Sequence, residues 1–263
     1  MKRLLAVLAM AVAGAAGAEP LLECGTGLAF RPEAVASFAA HAYDRTLAAY
    51  RADGRLDRDP ALLGRIERLV ERLSAAAGSD SARAAAVHWQ VHTCRRCGEN
   101  ASAMAGGRLM VGEEFIARLA PSDAELGYLL AHEMAHVMCE HTREFATVAR
   151  YFEDNGMHRD YADIQRELDG SIGLQYRMEF VAEEQELEAD RVGFFLGARA
   201  GFAPGAMMSL LAKLDPAPAS SATAGGHPTT GRRLAQAASM LQAAQILYAR
   251  GRAAHHMLRK SGM

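Results

Sequence analysis

The stretch from Ser122 to His136 limits this chain more than any other. Ser122 followed three residues later by Glu125 is a capping-box pattern, in which each satisfies a backbone donor of the other's turn. Asp123 and Glu125 add negative charge at the positive end of the helix dipole. Leu126, Leu129, Leu130 and Val137 recur at helical spacing, so a buried helix is expected from Asp123 as far as Tyr151. Inside it lies His132-Glu133-Met134-Ala135-His136.

On such a helix His132 and His136 share one face, a turn apart. Two imidazoles so placed can hold one Zn²⁺ at about 2.0–2.1 Å. Glu133 projects about 100° around the axis from His132. It is thereby set apart from the ligand pair, within reach of a metal-bound water as general base. A catalytic zinc takes three protein ligands and keeps one position open, so the third comes from elsewhere. The best source is Glu186-Leu187-Glu188-Ala189-Asp190, in a second long helix read from about Tyr161 to Arg199. Glu186 and Asp190 share a face, one to reach the metal and one to accept the free N–H of a ligand histidine. Glu183, Glu184 and Glu188 crowd the same stretch, and spacing alone does not separate them from Glu186.

Residues 1–18 read as a secretory signal, with Lys2 and Arg3, an apolar run from Leu4 to Val12, and Ala16-Gly17-Ala18 before the cut. Residues 19–263 are then expected to form one domain with no stable membrane span, periplasmic or secreted. A net charge of −2 gives no case for nucleic acid. An exported chain meets an oxidising compartment, so Cys24, Cys94, Cys97 and Cys139 read as structural disulfides, with the pairing open.

Helices are expected over Pro32 to Ala52 and Pro60 to Ala76, and a strand over Ala84 to His92, with His88 and His92 exposed. Gly106-Gly107 marks a turn into a short strand from Arg108 to Val111. Gly107, Arg108, Leu109 and Met110 are expected to offer an edge on which an extended substrate pairs.

Several motifs occur in one order: Asn100-Ala101-Ser102-Ala103 with Gly106-Gly107, His132 to His141 as HExxHVxxxH, Glu186 to Asp190, Gly201-Phe202-Ala203-Pro204, and His227-Pro228 with Arg233. In this the chain resembles the gluzincin metallopeptidases that include HtpX, the CAAX prenyl proteases and the BepA-type periplasmic proteins, over roughly Val87 to Leu234. The resemblance implies His132, His136 and Glu186 as zinc ligands, Glu133 as base and Asp190 as partner of a ligand histidine. Ser102, Met104 and Arg108 depart from the family's usual apolar and aromatic residues, which bears on substrate preference.

The fold implied is α+β: a mostly helical, zincin-like metallopeptidase domain with a small sheet beside the HExxH helix. The activity implied is zinc-dependent cleavage of polypeptides, misfolded envelope proteins among them. The alternative is a non-catalytic chaperone or envelope-assembly factor using the same cleft. Residues 216–226 are rich in Pro, Ala, Ser, Thr and Gly and are expected to be mobile. The resemblance puts the following His227 near the metal, as an oxyanion donor or as a plug on the open position, with Arg233 in support.

Overall fold

The computed structural model describes Cys24 and residues 27–79, 81–98, 101–214 and 230–260. The leader over 1–18, Asn100, the stretch 216–226 and His227 lie outside these residues. The two N-terminal helices are α1, Pro32–Ala52, and α2, Pro60–Gly78. Asp59 caps α2, its carboxylate accepting from the N–H groups of Ala61 and Leu62, and Ile66, Leu69, Val70 and Leu73 form its buried stripe.

The strand expected from Ala84 starts later. Ser81 caps a four-residue helix, α3 (Ala82–Ala85), and β1 runs only over Gln90–Cys94. His88 is exposed, but His92 is half-buried, with its Nδ1 2.7 Å from an Asp57 carboxylate oxygen. Two further strands follow, β2 (Ala101–Met104) and β3 (Arg108–Gly112), joined through Gly106 and Gly107 at φ +84° and +86°. Only glycine takes that left-handed turn without strain.

The sheet order is β1-β3-β2, with β1 parallel and β2 antiparallel to β3. This corrects the expected substrate edge. Arg108, Leu109 and Met110 pair with β1 on one side and β2 on the other, and the Gly107 carbonyl already accepts from the Gln90 N–H. A middle strand has no ladder positions left to offer. Among the described residues, β2 is an edge strand and the one that borders the HExxH helix.

After α4 (Glu113–Leu119) comes the expected capped helix, α5 (Asp123–Met138), with both halves of the capping box formed. Glu125 also accepts from Ser209 Oγ at 2.6 Å and Lys213 Nζ at 2.9 Å. Burial opposes its charge, but these partners and Ser122 hold its carboxyl at about 2. The helix does not continue to Tyr151. Glu140 adopts a left-handed φ of 57°, and a separate helix, α6, spans His141–Ala149. Cys139, at the break, is bonded to Cys24, and the other disulfide joins Cys94 to Cys97.

The second long helix is also divided. α7 covers Tyr161–Gly170, extended Ser171 interrupts, and its hydroxyl accepts from the Leu174 N–H to start α8, Ile172–Arg199. α9 (Gly205–Leu214) and α10 (Thr230–Lys260) complete the chain order. The larger core packs α2, the sheet, α5, α8, α9 and α10 together; a smaller one packs α1, α6, α7 and the first half of α8. No helix among the described residues is long and apolar enough to cross a membrane.

Candidate metal centre

The site is made where α5 meets α8, and glycine sets how close they come. A methyl group on Gly193 would lie 2.8 Å from the His132 backbone nitrogen and 3.0 Å from the Ala131 carbonyl carbon. Two turns back on the same face of α8 is Glu186, with Asp190 between them. The close crossing brings both acidic side chains under the α5 histidines. Gly193→Val should force the helices apart, at a cost of about 1–3 kcal/mol. A lower melting temperature should come with weaker zinc binding by chelator competition. Unchanged zinc affinity would mean that the crossing does not set the ligand spacing.

Three donor atoms converge there. His132 Nε2 lies 3.2 Å from His136 Nε2, and the Glu186 carboxylate oxygens lie 3.4 Å from the first and 3.3 Å from the second. Ligands about 2.0–2.1 Å from a tetrahedral zinc stand about 3.3 Å from one another, so the spacing matches the edges of that tetrahedron. Two imidazole nitrogens and a carboxylate are a catalytic zinc's donor set. His132, His136 and Glu186 thus fit the ion.

The other glutamates are engaged elsewhere. Glu183 and Glu184 pair with Arg232, and Glu188 accepts from Arg191 and lies 3.1 Å from His141 Nε2.

Asp190 is buried beneath His132, with Oδ1 3.0 Å from His132 Nδ1. Arg233, at the start of α10, donates to both Asp190 oxygens at 2.6 and 2.7 Å. Burial opposes the charge of Asp190, yet Arg233 and His132 together lower its pKa. Burial likewise works against a charged His132, but hydrogen bonds to Asp190 and Glu186 outweigh it and push its pKa up to about 10. His136 goes the other way, down to about 4, because burial outweighs its contact with Glu186. A cation held at the three donor atoms would compete with a proton for His132 Nε2.

Glu133 is half-buried and faces a cleft of about 520 Å³ bordered by Ala101, Ser102 and Ala103 of β2, with His132, His136 and Glu186 on the same wall. It therefore borders the same cleft as the three donor residues. His141 belongs to the same cleft, with Nδ1 2.9 Å from His136 Nδ1. Sequence reading held it only as the last letter of a motif.

The sequence profile of Peptidase family M48 matches residues 60–241, more than half of the chain. This chain belongs to that family. It is accordingly a zinc metalloendopeptidase with the mostly helical α+β fold expected. No curated protein matches it closely enough to add a relative. The helix α5, the residues bordering the cleft and the α8 carboxylates all fall inside the matched residues.

Proposed function

We propose that this M48 peptidase is exported, binds one zinc per chain through His132, His136 and Glu186, and cleaves unfolded polypeptides laid along β2. The observation that carries this is the convergence of three donor atoms at 3.2–3.4 Å beside Glu133 on an open cleft. Zinc held there supplies Lewis acidity, polarising a carbonyl and lowering a water's pKa to about 7. The remaining work belongs to the protein. Glu133 takes a proton from the attacking water and delivers it to the leaving amine. Asp190, held by Arg233, keeps His132 turned with Nε2 toward the metal.

The free side of β2 supports an extended substrate, which gains backbone hydrogen bonds without dependence on its sequence. Exposed Ile172, Tyr176 and Phe180 recur every four residues on α8, whose Gln175 borders the cleft. An exposed apolar stripe suits polypeptides that have not buried their own apolar side chains. The leader-like residues 1–18 and two disulfides support an oxidising, exported setting, and with it envelope or secreted proteins as substrates. Reduced, unfolded test proteins should be cut, chelation should stop cleavage, and stoichiometric zinc should restore it. Binding without any cleavage by the zinc-loaded chain would overturn the proposal in favour of a holding role.

A further inference from the structure

We infer that His141, braced by Glu188, is the positioning residue for the ligand histidine His136. The inference rests on the metal-centre reading and extends it to residues outside the ligand set. In an unbroken helix residue 141 would point about 140° away from residue 136. The chain breaks between them: Glu140 takes φ 57°, a left-handed conformation that a non-glycine residue rarely adopts. With that turn α6 starts on a new course, and His141 folds back to place Nδ1 2.9 Å from His136 Nδ1. The break is fixed from both sides. Cys139 is bonded to Cys24, and Gln185 Nε2 donates to the His141 carbonyl at 3.0 Å.

The protons in this chain have one consistent order. With an ion on Nε2, beside His132 and Glu186, His136 would carry its single N–H on Nδ1. That N–H donates to His141 Nδ1, which must then be the bare nitrogen. His141 carries its own proton on Nε2 and donates it to Glu188, 3.1 Å away. Glu188 is in turn held by Arg191 at 3.2 Å. His141 is buried, 2 % exposed, so water does not substitute for it. The two ligand histidines thus have separate supports: Asp190 and Arg233 for His132, His141 and Glu188 for His136. His141 itself stays out of the donor cluster, which comprises His132, His136 and Glu186.

The test uses the full mature chain, zinc and a chromophoric chelator. His141→Leu should weaken zinc binding about 10- to 100-fold, the usual effect of losing such a partner. His141→Asn, whose side-chain oxygen still accepts from His136, should recover most of that loss. Nitrogen-15 spectra of the zinc-loaded wild type should show His136 protonated at Nδ1 and His141 at Nε2. These spectra decide the matter even if His141→Leu does not fold. His141 protonated at Nδ1, or a folded His141→Leu with wild-type zinc affinity, would overturn this inference alone. Failure of the wild type to take up zinc would overturn the metal-centre reading and this one with it.

Discussion

Glu133→Gln should keep its zinc and lose peptide hydrolysis by a factor of about 10²–10⁴, the range assigned to a positioned general base. The amide has the shape of the carboxylate, so the wall of the cleft and the donor atoms of His132, His136 and Glu186 stay where they are. What disappears is the ability to accept a proton. Glu133 is only half-buried and supplies none of the three donor atoms, so its charge is not needed to hold the ion. Loss of turnover with metal content intact separates it from the ligands. Zinc content and initial rates on an unfolded polypeptide give the answer, and turnover within tenfold of wild type would remove Glu133 from the chemistry.

The sequence carries the site in short-range patterns, and these are the ones the structure keeps. The capping box at Ser122 and Glu125 forms, and the four-residue spacing of His132 and His136 puts both Nε2 atoms at one point. Glu186 could not be separated from Glu183, Glu184 and Glu188 by spacing, because all sit on one helix. The structure separates them by what each meets: Arg232 for two, His141 for Glu188, and the paired histidines for Glu186. The errors lie where tertiary contacts override local pattern. The break at Glu140 carries no glycine or proline; it follows from a disulfide to a residue far away in sequence and from where α6 packs. The identity of the edge strand was out of reach for the same reason. Strand order depends on β1 pairing in parallel with β3, across the intervening β2. Gly193 had a signal that went unread: a glycine inside a long helix, seven residues after Glu186 and on its face.

Asp190→Ala should cost about 3–5 kcal/mol, the range for removing one partner of a buried ion pair. Two donors lose their acceptor at once. Arg233, with its side chain 14 % exposed, is left as a charge with neither of its two short hydrogen bonds to α8, and His132 Nδ1 loses its partner. The first loss loosens α10 from α8, and the second frees the His132 ring. Zinc affinity should therefore fall about 10- to 100-fold in addition to the loss of stability. Because Asp190's pKa is lowered in the folded protein, its stabilisation is present above the unfolded value of about 3.9 and is lost as pH falls through the folded value. On this ground the gap between wild type and variant should narrow as pH falls below about 3.9. Adding Arg233→Met to Asp190→Ala removes the stranded charge and should recover part of the stability, while zinc affinity stays low because His132 still lacks its partner. Denaturant melts of the three proteins beside chelator competition resolve the two roles. Recovery of zinc affinity along with stability would mean that Asp190 acts on the metal only through the fold.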